Sequence, residues 1–493
     1  MQRTIHLAWA IALLSLPAFT TAGLAAEPSE SDASTEAAAS GEPVPGEGIA
    51  GDWLGTLAAG PVELRLALHV EAAADGGWSV VFDSIDQGTK VPVEELTFEG
   101  GEVRLSLPVI QGLYVGTMNE DGSAIEGEWS QAGTVLPLVF ERQAAPFELA
   151  RPQEPRPPFP YVSRDVAFEN EAAGLTLAGS YVVPAGEGPF PAVLFVSGSG
   201  PQDRDEQIMG HRPFLVIADH LARHGVASLR FDDRGFGASE GDHMGSTIAD
   251  FATDVEAGLA FLRSQPEVDG GAVGILGHSE GGLTGPMVAA ERDDVAFLVV
   301  LAPPAVPLIE LLARQTADIL RLSGLDEDLV ARAVRQQVSD LELVRDESLT
   351  DEELRDELRA RAASLREAFS EEELAILGVV ESTMEQSLAV SSSPWFRSLT
   401  RVDPAAYWRH VDVPVLALFG DLDIQVAAEE NAAALERALA AGSNDAAEIR
   451  ILPGLNHLLQ HAETGSVEEY GALAETIAPE VLEALASWIR DNS

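Results

Sequence analysis

Residues Ala272–Gly282 read Ala-Val-Gly-Ile-Leu-Gly-His-Ser-Glu-Gly-Gly. Ala272–Leu276 is short, apolar and preceded by a glycine pair, the pattern of a buried strand. Gly277-His278-Ser279-Glu280-Gly281 matches G-x-S-x-G, and Leu283–Glu291 continues with good helix formers. Strand, sharp turn and helix together are the setting of a nucleophile elbow. Glycines on both flanks leave room for a strained turn pressed against its neighbours. That turn would lift the Ser279 hydroxyl above the sheet edge and aim the Glu280 N–H at the same point. In a chain with 44 glycines the pentapeptide alone is weak. The fold therefore rests on whether the rest of the chain supplies an acid, a base and an oxyanion hole.

The chain has 493 residues, enough for two or three domains, and 46% of them are hydrophobic. Its formal charge of −50 argues against nucleic acid and against an anionic membrane surface as partners. Cysteine is absent, which removes disulfides, thiolate metal sites and a cysteine nucleophile. Residues 1–26 read as an export signal, with Arg3 before the apolar core Leu7–Leu16 and small residues for cleavage near Ala25 or Ala26. The apolar run is too short to span a bilayer comfortably. The expected product is periplasmic or secreted, with no membrane anchor after cleavage.

Residues 27–48 are Ala, Ser, Glu, Pro and Gly, a disordered acidic linker. Residues 49–145 read as an all-β domain. Val62–Val70 and Glu102–Leu107 alternate apolar and polar residues, and Asp75-Gly76-Gly77 and Glu120-Asp121-Gly122 are hairpin turns. Trp53, Trp78 and Trp129 are candidate core aromatics of a small sandwich or barrel. Residues 146–160 form a Pro-rich linker ending in Arg156-Pro157-Pro158-Phe159-Pro160.

From 161 to 493 the pattern changes. A hairpin, Val162–Phe168 and Leu175–Val183, precedes the apolar runs Ala192–Val196, Val226–Phe231, Ala272–Leu276, Val295–Leu301, Val413–Phe419 and Glu448–Leu452. Helical stretches separate these runs, which predicts an α/β fold: a mainly parallel sheet with helices on both faces. Ligands of such sheets sit at the carboxyl ends of the strands, and Ser279 lies just past one. Residues 307–393 interrupt the alternation with acidic helical sequence. Thr350-Asp351-Glu352-Glu353 and Ser370-Glu371-Glu372-Glu373 fit the capping box. An insertion at this position is expected to form a helical cap that shapes a substrate pocket.

The remaining parts follow in order. After Ala192–Val196 comes Ser197-Gly198-Ser199-Gly200-Pro201, where small residues let backbone N–H groups face a developing negative charge. The N–H of Ser199 is the first candidate, Gly200 the second, and Glu280 supplies the other donor. After Val413–Phe419, Asp421 and Asp423 compete for the acid. Asp423 lies further into the loop, where it can reach over the sheet edge, leaving Asp421 as a turn residue. After Glu448–Leu452 comes His457, preferred over His461, which falls nearer the next helical stretch. Every other histidine lies in the wrong place in the chain. Ser279, Asp423 and His457 thus form a catalytic set in the order Ser, Asp, His.

From Tyr161 onward the chain resembles the α/β-hydrolase superfamily, in its serine aminopeptidase S33-like and bacterial esterase group. The matching stretches are Gly198–Asp205, Phe231-Asp232-Asp233-Arg234-Gly235-Phe236-Gly237-Ala238-Ser239, Gly277–Gly281, Gly420–Val426 and Leu452–His457. The resemblance implies an α/β-hydrolase fold, with Ser279 as nucleophile, Asp423 as acid and His457 as base. It also implies a structural role for Asp232–Gly235, with Arg234 in an internal ion pair. Many relatives carry His-Gly before the oxyanion residue, where this chain has Ser197-Gly198. Trp395 and Phe396 are candidates for lining an acyl pocket or for the core.

The expected activity is hydrolysis of small-molecule carboxylic esters through an acyl-enzyme, with no metal and no cofactor. A serine aminopeptidase acting on short peptides uses the same set of residues, and the acidic cap would then hold a substrate ammonium. A third reading is a non-catalytic envelope-binding protein.

Overall fold

The computed structural model describes residues 48–493 except 60–61, 74–76, 86–88, 132–133, 146, 148–149 and 378–380. The expected export signal, residues 27–47 of the acidic linker and the turn residues Asp75 and Gly76 lie outside the described residues. The chain forms two compact units, the first through Ala150 and the second from Arg151 onward, apart from a few short exchanged stretches.

The first unit is a single antiparallel sheet. Its strands are β1 (Gly51–Ala59), β2 (Val62–Ala72), β3 (Trp78–Ser84), β4 (Thr89–Val91), β5 (Glu95–Glu99), β6 (Glu102–Leu107), β7 (Gly112–Met118), β8 (Ala124–Gln131) and β9 (Thr134–Gln143). Their order is β4-β3-β2-β1-β9-β8-β7-β6-β5. The alternation read in β6 is real: Val103, Leu105 and Leu107 are buried, while Glu102 and Arg104 face outward. Phe82 of β3 stacks on Trp129 of β8 at 5.5 Å between ring centroids. Those strands are separated by β2, β1 and β9, so the sheet curls into an open barrel around one core. Trp53 and Trp129 belong to that core, and Trp78 packs against it half-buried.

The second unit carries β10 (Val162–Asn170), β11 (Leu175–Val183), β12 (Phe190–Val196), β13 (Ala227–Phe231), β14 (Val268–His278), β15 (Leu298–Leu301), β16 (Val415–Gly420) and β17 (Ala447–Leu452). The order is β10-β11-β13-β12-β14-β15-β16-β17. The hairpin β10–β11 joins antiparallel, and β12 to β17 run parallel. Arg151 and Gln153 already belong to this unit. Arg151 donates to the carbonyls of Leu473 and Gly471, and Gln153 bonds the backbone of Thr476 and Ile477. The Pro-rich stretch is therefore tied to the second unit over part of its length.

Both faces of the sheet are covered, as a parallel sheet requires. On β12, Val193 and Phe195 enter one apolar layer with α1 (Pro213–Arg223) and α13 (Pro479–Asn492). Leu194 and Val196 enter the other layer, with α2 (Ile248–Ser264), α3 (Gly281–Glu291) and α11 (Ala428–Gly442). Between β15 and β16 the chain inserts α4 (Leu308–Leu322), α5 (Glu327–Val344), α6 (Asp351–Ala368), α7 (Glu371–Ile376) and α8 (Glu381–Ser391). Then α9 (Pro394–Leu399) and α10 (Pro404–Trp408) lead back to the sheet. Both expected capping boxes form: Thr350 with Glu353 at the start of α6, and Ser370 with Glu373 at the start of α7. The short α12 (Val467–Tyr470) lies between the last strand and α13.

Candidate active site

Ser279 follows β14 directly and precedes α3. Its φ is +51°, the left-handed region that costs a residue with a Cβ about 1–2 kcal/mol. The strain is held from both sides. The Ser279 N–H bonds the Leu301 carbonyl of β15 at 2.9 Å, and the Ser279 carbonyl accepts from Gly282 at 2.8 Å. The start of α3 lies beneath the serine, so the helix dipole presents its positive end there. Crowding explains the glycines: a Cβ on Gly282 would lie 2.7 Å from Pro303, and one on Gly198 would lie 3.3 Å from the Ser279 Cβ. The oxyanion-loop candidate thus abuts the candidate nucleophile.

His457 and Asp423 are joined. Nδ1 of His457 donates to Oδ2 of Asp423 at 2.7 Å, with both side chains buried. Oδ1 of Asp423 accepts from the N–H groups of Gln425 and Val426, each at 2.8 Å. Both carboxylate oxygens are therefore satisfied, and the histidine keeps its Nε2 free to take a proton. Asp421 does what a turn residue does, accepting from the Gly454 N–H at 2.6 Å. His461 is exposed and pairs with Glu475 and Glu480 instead.

His278 links these parts. Its Nδ1 lies 2.9 Å from Oε1 of Glu206, and its Nε2 lies 3.1 Å from the His457 carbonyl. The two imidazole rings sit 4.9 Å apart. Both partners of His278 are acceptors, so the ring is satisfied only with a proton on each nitrogen. Burial opposes that charge, but the adjacent Glu206 carboxylate outweighs it and holds the His278 pKa above its ordinary value. Glu206 also accepts from the Gly198 N–H at 2.7 Å. One buried carboxylate thus fixes the loop after β12, the residue before Ser279 and, through His278, the backbone of His457. Glu206 itself sits at φ +52°, a second strained residue at the site.

The loop after β12 is braced again by Asp233, which accepts from the Ser197 hydroxyl at 2.7 Å and the Gln202 N–H at 2.9 Å. Ser197 thereby anchors the loop. Arg234 forms the expected internal ion pair, with Asp254 at 2.6 Å, and Asp232 pairs with Arg204 at 2.7 Å.

Ser199, Ser279 and Glu280 line one cavity. Its wall is otherwise largely apolar, with Leu311 and Leu312 of α4 and Phe396 of α9. The inserted helices also contribute Gln315 and Gln337, whose Oε1 atoms are buried without a hydrogen-bond partner. Glu280 is the one ionisable side chain among the described residues lining this cavity. Burial raises its pKa to about 7, against hydrogen bonds from Trp395 and Ser199 that lower it. The Trp395 indole reaches the Glu280 carboxyl at 3.1 Å. Of the aromatic pair expected at the pocket or in the core, both are buried in the core, Phe396 also lines the cavity, and the Trp395 indole holds Glu280.

The residues singled out in the sequence thus fall into two groups: Ser199, Ser279 and Glu280 on one cavity, and Asp423 and His457 in one buried pair, with His278 packed against both. Glu206 escaped sequence reasoning. It stands one residue beyond the Gly198–Asp205 stretch, and the signal that could have found it is the need of a histidine beside the nucleophile for a partner.

This architecture, with a strained serine at a strand–helix turn and an Asp–His pair beyond later strands, is that of the α/β-hydrolase superfamily. The profile of one of its families, serine aminopeptidase S33, matches residues 212–464, and the chain belongs to that family. The esterase EstD of Thermotoga maritima is 26% identical over 357 residues, covering 72% of this chain and 74% of that protein. Dipeptidyl-peptidase 5 of Porphyromonas gingivalis is 30% identical over 113 residues, covering 21% of this chain and 15% of that protein. Among solved structures, a Pyrococcus furiosus esterase covers 67% of this chain and 91% of its own at 17% identity, with a TM-score of 0.41.

Proposed function

We propose that this chain is an exported serine hydrolase that cleaves carboxylic esters through an acyl-enzyme. His457 takes the proton of Ser279, and Ser279 attacks the ester carbonyl. The N–H groups of Ser199 and Glu280 hold the oxyanion, and the alcohol leaves with a proton from His457. Water, activated by His457, then releases the acid. Asp423 keeps the imidazole oriented and stabilises its protonated form. The observation that carries this reading is the strained Ser279, at φ +51° on a cavity-facing turn, in a chain whose candidate base is already paired with a carboxylate. The likeness to EstD adds support for esters.

The inserted helices act as a lid in this reading, since α4 and α5 supply part of the cavity wall. That wall also bears on the aminopeptidase alternative. The acidic residues at the start of α6 are exposed, and the cap side chains on the cavity are leucines and glutamines. Glu280 is the carboxyl on hand, and it is held by Trp395. An apolar wall suits an acyl chain better than a substrate ammonium. The test is labelling with a fluorophosphonate followed by peptide mapping, together with turnover of short acyl p-nitrophenyl esters and aminoacyl amides. Label on Ser279, its loss in His457→Ala and preference for the esters are expected. Turnover undiminished in Ser279→Ala would sink the assignment.

A further inference from the structure

A second cluster of ligating side chains lies on the sheet face that α1 and α13 cover. His220 sits in the last turn of α1 and His224 at its C-terminal cap. Residues four apart on a helix share a face. Glu483 comes from α13, in the same apolar layer as α1. One ligand atom from each of these residues lies within 4.8 Å of the others, and His220 Nε2 is 3.7 Å from Glu483 Oε1. Two ligand atoms on a tetrahedral zinc stand about 3.4 Å apart, given bonds of about 2.1 Å.

Further details distinguish this cluster from a chance meeting of surface groups. His220 Nε2 is buried and has no hydrogen-bond partner, a state that native structures rarely leave unexplained. His224 donates Nδ1–H to the His220 carbonyl at 2.7 Å. That bond fixes the ring and leaves Nε2 as the ligand atom, the backing found behind metal-bound histidines. The two rings stand 4.2 Å apart, tilted by 31°. The nearby cation Arg223 is held by both oxygens of Asp219 and does not compete for Glu483.

We propose that His220, His224 and Glu483 bind a zinc-class divalent cation that ties α13 to α1, with water completing the coordination. Two imidazoles and one carboxylate suit zinc or its neighbours better than calcium or magnesium, which take oxygen ligands. The residues lining the cavity at Ser279 do not include these three, so the role is to fasten the C-terminal helix and not to take part in hydrolysis.

The test uses the full chain, stripped with EDTA and titrated with Zn2+ by calorimetry and with Co2+ by visible absorption. Expected are one bound equivalent at micromolar or lower concentration, tetrahedral Co2+ bands, and a Tm that rises with Zn2+. His224→Ala and Glu483→Gln should each weaken binding by about tenfold or more and abolish the Zn2+ shift in Tm. Circular dichroism and the metal-free Tm of both variants should match the parent, which separates loss of a ligand from loss of the fold. Absence of saturable binding at micromolar metal would overturn the proposal. So would binding that survives in both variants, as a diffuse acidic surface would give.

Discussion

The two units of this chain bury different things. In the N-terminal sheet the interior is aliphatic and aromatic, and Ser84 is the one polar or charged residue buried among its described residues. In the hydrolase unit Glu206, Arg230, Asp232, Arg234, Asp254, His278, Glu280, Asp423 and His457 are all buried. A buried charge carries a desolvation penalty of several kcal/mol that its partner only partly offsets. Apolar packing of the same volume would stabilise the fold as well or better. The N-terminal unit takes that simpler solution, and the hydrolase unit does not. Many of its buried charges gather where the loops after β12, β13, β14, β16 and β17 meet, which is where the chemistry is proposed. The difference teaches that polar burial in this chain follows the reaction site, while the N-terminal unit is built for shape.

The sharpest way to break that comparison is at Ser279. Ser279→Ala should lower kcat/KM on a short acyl ester by about 10³- to 10⁶-fold, with a Tm close to the parent's, since alanine keeps the Cβ and with it the strain at φ +51°. The next largest effect should come from Glu206→Gln, which removes the carboxylate that His278 and the Gly198 N–H share. Breaking a buried pair by removing one partner typically costs about 3–5 kcal/mol. The same change loosens the candidate oxyanion loop, and misplacement by an ångström can slow turnover by about a hundredfold. Denaturant unfolding and kcat measured on one preparation would register both losses. A variant that lost stability but kept kcat would show that the clamp is structural only. Trp129→Ala tests the other side. It should destabilise the N-terminal sheet by about 3–5 kcal/mol through the cavity it leaves, and leave kcat of the folded protein within about twofold, since Trp129 belongs to the core of the first unit and is not among the residues lining the Ser279 cavity.

How much of this could be read beforehand depends on the range of the interaction. The strands of the hydrolase sheet, both capping boxes and the elbow were legible because each is written in a few neighbouring residues: an apolar run, a hydroxyl with a carboxylate three positions on, a serine between glycines. Asp423 was separable from Asp421 because depth in a loop scales with distance from the strand end. A small sandwich or barrel was legible in the N-terminal strands, but which side chains meet across it was not, since nothing local tells Phe82 that it will stack on Trp129. Glu206 was missed for the same reason: its partner His278 is 72 positions away. Its left-handed backbone lies in a local turn, where the Asp203 carbonyl accepts from the Glu206 N–H and the Asp203 carboxylate from the Asp205 and Gln207 N–H groups. Trp395 was read as a pocket or core aromatic and is buried in the core; what could not be read is that its indole bonds a carboxyl 115 positions earlier.

Glu280 sharpens the comparison most finely, because its side chain could have been apolar without touching the backbone donor that the elbow needs. Burial raises its pKa from 4.5 to about 7. The folded chain therefore holds this proton more tightly than the unfolded chain does. Its stabilising contribution is complete below pH 4.5 and is lost as pH rises through about 7. A shift of this size corresponds to about 3 kcal/mol. His278 adds to the trend with the same sign: a histidine whose folded pKa lies above 6.5 stabilises below that pH and loses the contribution above its folded value. Glu280→Gln keeps an oxygen for the Trp395 indole and cannot ionise. The variant should match the parent near pH 4.5 and exceed it by up to about 3 kcal/mol at pH 8, read from urea midpoints across that range. If the two curves ran parallel instead, Glu280 would be hydrated in solution, and the helices α4, α5 and α9 that line the cavity would stand more open than their packing here.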